Sequence, residues 1–308
     1  MYVSKTIATA AIAAAFAVLM WALPASSEPL TVVHAQGETT LAARPKVVFT
    51  LDFSPLETLD VLGVDVAGVP GSLLPPHLSK YADAKYTKIG TLFEPDYEAI
   101  NAAKPDLIIV AARSAPKLKE LSRIAPTIDL TVDETDFLAS VFRRARTIGE
   151  IFGKQSEIEA RIAKIESDAK ALREKAPAAG RALIILTTGG RMSAYGPRSR
   201  FGLLHTAFGI TPAVPDLDRA VHGQGVSFEL ILKADPDWLF VVDRDTAIGR
   251  PGQPAAKLLD NPLVARTKAW KNGHVTYLDP VRWYLVGGGI ASVQANLDQI
   301  ARALPVKP

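Results

Sequence analysis

Apolar positions along the 308-residue chain fall into alternating helix-like and strand-like stretches. After an N-terminal strand pattern, LTVVHAQGETTLAARPKVVF, the segment DFSPLETLDVLG reads as a loop and short helix closed by Gly63. VDVAGVP follows as a buried strand closed by Pro70, and EPDYEAINAAKPDLIIVAA supplies a short helix, a Pro-Asp turn and an apolar strand. Repeated helix-to-strand traffic of this kind predicts an α/β fold with mostly parallel sheets flanked by helices.

An internal repeat divides the pattern. YEAINAAKPDLIIVA, from Tyr97, matches FELILKADPDWLFVV, from Phe228, 131 residues later: an aromatic, a Glu, an apolar helix, Pro-Asp and a buried strand in one register. A looser echo pairs LDVLGVDVAGVP at Gly63 with HTAFGITPAVP at Gly209, each a helix end followed by a strand approach. Two lobes of similar build follow, and a single repeat pair is not a solenoid. Between the copies, FLASVFRRARTIGEIFGKQSEIEARIAKIESDAKALREKA lacks proline, and Phe142, Ile148, Ile151, Phe152, Ile158, Ile162, Ile165 and Leu172 recur at helical spacing. The expectation is one long helix, kinked at Gly149 and Gly153, that limits closure of the lobes to a modest motion.

Composition agrees with a globular chain: 48% hydrophobic and 22% charged, at a length where single cores stop growing and chains divide. A formal charge of +3 spread along the chain is too small for a nucleic-acid surface. The absence of cysteine excludes disulfides, thiolate metal sites, cysteine nucleophiles and a lipid-modified cysteine in this sequence. Lys5, the apolar run TIATAAIAAAFAVLMWAL and the small residues of PASSE have the layout of a cleaved secretory signal. The expected organisation is a signal peptide at 1–27, an N-terminal α/β lobe at 28–137, the connecting helix at 138–176 and a C-terminal α/β lobe at 177–308.

Three arginines stand where open α/β sheets bind ligands, beyond the carboxyl ends of strands or in loops beside them. Arg113 follows DLIIVAA, Arg244 follows WLFVV at the equivalent place in the second copy, and Arg200 lies in the turn YGPRSRFG. Arg198 is a weaker candidate. Tyr284 precedes the glycines that open a final helix, whose Ile290, Val293, Leu297, Ile300 and Leu304 form an apolar stripe, and this places the tyrosine on a loop at a lobe edge.

PDLIIVAARS, RMSAYGPRSRFG, HGQGVSFELILKADPDWLFVVDR, LDNPLVARTKAW and YLDPVRWYLVGGG resemble the periplasmic binding proteins of bacterial iron-siderophore and cobalamin ABC importers. The resemblance spans the mature chain and is greatest to the catecholate-siderophore receptors, the petrobactin and enterobactin-fragment binders. It implies a class III periplasmic-binding-protein fold, two similar α/β lobes joined by one long helix. It implies no enzyme activity and no permanent cofactor, with ferric iron bound as a siderophore complex. His222 and Tyr284 match the residues that give a ring nitrogen and a phenolate oxygen to iron. Ferric iron is a hard ion that favours anionic oxygen and accepts imidazole, and a tetradentate siderophore leaves two positions of octahedral iron for such a pair. Arg113, Arg200 and Arg244 match the positions that hold catecholate oxygens, a task suited to the fixed fork of a guanidinium. The repeat-related Glu98 and Glu229 match the acids that dock on an inner-membrane ABC permease dimer with its ATPase. Each also opens a predicted helix, where a carboxylate is favoured by the dipole. The implied product is a monomer, free in the periplasm.

Rival readings are weaker. There is no G-x-S-x-G elbow, H-E-x-x-H or G-x-x-x-x-G-K-[ST], which leaves a siderophore-processing hydrolase without a motif. His34, His77, His205, His222 and His274 show no paired spacing on one helix. Within the binding class, haem, cobalamin and hydroxamate siderophores compete with catecholates; near-neutral hydroxamate complexes gain little from three cations.

Overall fold

The computed structural model describes residues 29–217 and 223–304. The chain enters as an antiparallel hairpin of β1 (Leu30–His34) and β2 (Gly37–Leu41). The N-terminal lobe then runs β3 (Val48–Thr50), α1 (Phe53–Val61), β4 (Gly68–Val69), β5 (Thr87–Lys88), α2 (Tyr97–Ala103), β6 (Leu107–Val110), α3 (Leu118–Leu121) and β7 (Thr127–Asp129). Its five strands are all parallel in the order β5-β4-β3-β6-β7. Both faces are covered, which is why LIIV of β6 is an unbroken apolar run rather than an alternating one.

The connector differs from the single kinked helix predicted by its spacing. It is two helices, α4 (Phe137–Phe152) and α5 (Gln155–Lys175), separated at Gly153, whose backbone is left-handed at φ 67°. Arg146 on α4 pairs with Glu159 on α5 through bonds of 2.7 and 2.9 Å. In one straight helix those residues would stand ~20 Å apart, so the chain folds back at the glycine. Gly149 allows the close approach, since a Cβ there would lie 3.2 Å from the Ile158 side chain.

The C-terminal lobe contains β8 (Arg181–Thr188), β9 (Arg191–Tyr195), α6 (Leu203–Thr206), β10 (Thr211–Pro212), β11 (Gln224–Val226), α7 (Phe228–Ala234), β12 (Trp238–Asp243), α8 (Arg244–Ala247), α9 (Ala255–Leu259), α10 (Lys268–Lys271), β13 (Val275–Tyr277), α11 (Pro280–Tyr284) and α12 (Ile290–Ala303). Its sheet is mixed, in the order β11-β9-β8-β12-β13. β9 and β11 are antiparallel to their neighbours, while β12 and β13 are parallel, as is β10 beside the start of β8.

The sequence repeat has a structural cause. α2 and α7 each end in a left-handed non-glycine residue, Lys104 at φ 48° and Asp235 at φ 39°, and a Pro-Asp pair then leads into the central strand. Asp106 Oδ2 accepts the backbone N–H groups of Lys46 and Val47 at 2.9 Å, and Asp237 Oδ2 accepts that of Arg181 at 2.8 Å. The aspartate thus ties each copy to the start of the neighbouring parallel strand. Gly63 (φ 66°) and Gly209 (φ 78°), the looser echo, are also left-handed.

One apolar cluster runs through both lobes. It joins Leu56 of α1, Ile148 of α4, Ile162 of α5, Phe240 of β12 and the α12 stripe Ile290, Val293, Leu297, Ile300 and Leu304. The lobes therefore share a helical spine of α4, α5 and α12, and the last helix packs on α1 as well as α5.

Candidate functional site

The carboxyl ends of β3, β6 and β7 face a cleft of about 770 Å³ that also takes walls from the second lobe. Four of the side chains singled out in the sequence line it together: Arg113, Arg200, Arg244 and Tyr284.

Each is held by its local backbone. Ahead of Arg113, Ala112 takes a left-handed conformation (φ 44°), a cost of about 1–2 kcal/mol for a residue with a Cβ. Its N–H bonds Thr131 Oγ1 at 2.8 Å, and the buried Ser114 hydroxyl closes the turn on Ala111. Arg200 follows a turn pinned by Ser199 Oγ on the Gly196 carbonyl at 2.7 Å, and a Cβ on Gly202 would stand 2.1 Å from the Pro197 carbonyl. Arg198, in the same turn, is exposed and does not line the cleft. Arg244 opens α8 behind Asp243, whose carboxylate accepts Thr246 N–H at 3.1 Å and Ala255 N–H at 3.0 Å.

Tyr284 is not on a loop as its glycine-flanked setting implied; it is the last residue of α11. That helix is fixed at its start by Asp279, which accepts Val281 and Arg282 N–H, both at 3.0 Å. On its far side Arg282 Nη1 reaches the buried Glu57 of α1 at 3.1 Å. Glu57 also accepts Ser292 N–H at 2.8 Å and its hydroxyl at 2.7 Å, so one carboxylate serves α11 and the start of α12 together. Glycine is required beside it, because a Cβ on Gly289 would fall 2.1 Å from Glu57 Oε2. His77 Nε2 stands 2.8 Å from Glu57 Oε1 without the alignment of a hydrogen bond.

All three arginines converge on the tyrosine. Arg244 Nε donates to the phenol oxygen at 2.7 Å, while Arg200 Nη2 and Arg113 Nη2 donate to the Tyr284 carbonyl at 3.1 and 3.3 Å. Their guanidinium carbons lie 4.6 Å (Arg200), 5.3 Å (Arg113) and 5.4 Å (Arg244) from the ring centre, within cation–π range. Burial by itself pushes the phenol up. The Arg244 hydrogen bond and the charges of Arg200, Arg244 and Arg113 outweigh it, so the net pKa lies below the ordinary tyrosine value. The arrangement is a cationic cradle around a phenol that gives up its proton more readily than an ordinary one, fit to receive an anionic ligand.

The other named residues separate from this cluster. Glu98 and Glu229 are exposed, each at the second position of its helix. The Ser227 hydroxyl holds the Glu229 carboxyl below the usual range. His222 lies outside the described residues. Asp52 on the cleft wall was not singled out in the sequence. It caps α1 through Ser54 N–H at 2.8 Å, and burial pushes it up to about 6 against the Ser54 bonds and the Arg113 charge. Its signal was the cap pattern of DFSP; Glu57, by contrast, sits inside a short helix whose sequence gives no sign that this carboxylate is buried.

A periplasmic binding protein family model matches residues 48–281. The chain belongs to the periplasmic binding protein family. Its members bind solutes outside the cytoplasm and are not enzymes. The petrobactin-binding protein of Bacillus subtilis is 43% identical over 284 residues, 90% of this chain and 89% of the relative. Its crystal structure superposes with a TM-score of 0.87 over 91% of this chain and all of that one. The ferric-anguibactin-binding protein of Vibrio anguillarum is 34% identical, covering 89% and 87% of the two chains. The periplasmic catecholate-siderophore binding protein of Vibrio cholerae superposes with a TM-score of 0.85 at 32% identity, over 89% of this chain and 100% of its own. The two-lobed, class III periplasmic-binding-protein fold expected from the sequence is thereby established.

Proposed function

We propose that this protein captures a ferric catecholate siderophore, tetradentate in its iron binding, in the cleft between its lobes and delivers it to an inner-membrane ABC permease dimer with its ATPase. The observation that carries the reading is the convergence of Arg113, Arg200 and Arg244 on Tyr284. Ferric catecholates are anionic, and fixed guanidinium forks bind their oxygens with charge-assisted hydrogen bonds. Ferric iron favours hard anionic oxygen, which the cationic surroundings of Tyr284 make available at lower pH than an ordinary phenol would. In this reading His222 supplies the second protein donor. Glu98 and Glu229, exposed and repeat-related, contact the permease, one per lobe. The protein acts as a monomer, free in the periplasm after removal of residues 1–27.

The relatives that bind petrobactin, ferric anguibactin and catecholate siderophores support this solute class. A panel of ferric bis-catecholate, ferric hydroxamate and haem at equal concentration tests it by quenching of tryptophan fluorescence; Trp283 lines the cleft. The catecholate should bind most tightly. Tighter binding of the hydroxamate or of haem contradicts the assignment.

A further inference from the structure

Four large apolar side chains are exposed among the described residues: Val33, Leu73, Phe93 and Tyr277. Phe93 is the one of these that lines the cleft, and 55% of it is open to solvent. An exposed aromatic ring on a cleft wall, carried by a loop whose backbone is fixed, offers an open apolar face to whatever the cleft binds.

The backbone that carries Phe93 is held by several restraints. Phe93 sits at the tip of the tight loop after β5. Thr91 N–H bonds the Glu94 carbonyl at 2.9 Å, and Thr91 Oγ1 accepts the N–H groups of Phe93 and Glu94 at 3.2 and 3.0 Å. Gly90 pairs with Pro95 as an antiparallel bridge below the tip. Gly90 has a φ of +104°, and a Cβ there would fall 2.3 Å from the Glu94 carbonyl, so the loop closes only on glycine. Leu92, 2% exposed, anchors the loop in the core, and the next side chain is turned out. Glu94 then pairs with Lys117 at 2.8 Å, on the segment that follows Arg113. The aromatic tip and the cationic cradle are thus linked within one lobe edge.

We propose that Phe93 is a specificity residue that packs its ring against an aromatic ring of the iron chelator, so that the cleft selects an anionic ligand carrying planar rings over an aliphatic one of the same charge. The inference rests on the function proposed above and narrows it. Guanidiniums recognise the negative charge of any ferric chelate; an open aromatic face adds a contact that only a ligand ring reciprocates, through offset or edge-to-face packing.

The test compares the full-length wild type with Phe93→Leu and Phe93→Tyr, titrated with a ferric bis-catecholate and read by tryptophan quenching. Phe93→Tyr keeps the ring and should bind within about twofold of wild type. Phe93→Leu keeps the apolar volume without the ring and should weaken binding by about three- to tenfold, the range expected for loss of one aromatic pair. Wild-type affinity in Phe93→Leu, or equal losses in both variants, overturns the inference and leaves the proposed function standing. No binding by the wild type overturns both.

Discussion

Arg244 donates Nε–H to the phenol oxygen of Tyr284 across 2.7 Å, joining the first residue of α8 to the last residue of α11. The bond leaves the phenol oxygen in a cationic field to which Arg200 and Arg113 also contribute. Tyr81, Tyr195 and Tyr277 are instead pushed up, burial being the largest cause for each. Tyrosinate absorbance followed against pH should therefore show an early-ionising group that is missing in Tyr284→Phe. In Arg244→Met that step should move to higher pH. An unchanged titration in Arg244→Met would show that the hydrogen bond does not govern the phenol.

Asp52 gives the cleft a pH-dependent cost. Its folded-state pKa is raised from 3.8 to about 6, so the carboxyl binds its proton more tightly in the folded protein than in the unfolded chain. Stability from this group is fully present below the unfolded value and is lost as pH rises from about 4 through about 6, a difference of about 3 kcal/mol. Asp52→Asn retains a cap oxygen for Ser54. It should be more stable than wild type above pH 6, by about 1–3 kcal/mol, with the advantage vanishing near pH 4. Denaturant unfolding across that range measures the difference; a constant difference contradicts the account.

The carboxylate of Glu57 and the missing Cβ of Gly289 are complementary. Gly289→Ala should destabilise by about 1–3 kcal/mol through overpacking against the carboxylate. Glu57→Ala should cost about 3–5 kcal/mol, because Arg282 and the Ser292 N–H lose their partner. Combined, the two changes should cost less than their sum, since removing the carboxylate makes room for the added methyl group. Thermal unfolding of the three variants reads this coupling, and simple additivity would argue against the contact.

Glu98 and Glu229 are exposed in equivalent first turns of the two lobes and do not line the cleft that holds the arginines. Replacing both by alanine should leave affinity for a ferric catecholate unchanged and abolish iron uptake in cells that depend on this protein. Normal uptake by the double variant would defeat the docking role.

The repeat was legible in the sequence because its parts are local: a helix, Pro-Asp and a strand each have their own residue signature, whereas the left-handed caps, on Lys104 and Asp235 rather than glycine, had none. The equivalence of Arg113 and Arg244 followed from that register, and the stripe from Ile290 to Leu304 from helical spacing. The break between α4 and α5 was marked by Gly153, but the apolar spacing continues across it, and spacing alone cannot tell a kink from a reversal. Tyr284 looked like a loop residue because α11 is a single short turn capped by Asp279. The Glu57–Arg282 pair spans 225 residues and joins two helices that meet only when the spine assembles, so no local pattern announced it. Phe93 was hidden for a similar reason, since nothing in the short turn Thr91-Leu92-Phe93-Glu94-Pro95 says which of its two apolar side chains enters the core and which faces a cleft.

Ligation of iron by Tyr284 is the central claim, and titration of the wild type and Tyr284→Phe with a ferric bis-catecholate tests it most directly. Binding to the wild type should shift the catecholate-to-iron charge-transfer band. In Tyr284→Phe the complex should still bind, held by the arginines, but the shift should be lost. An identical band shift in both proteins would contradict tyrosinate ligation.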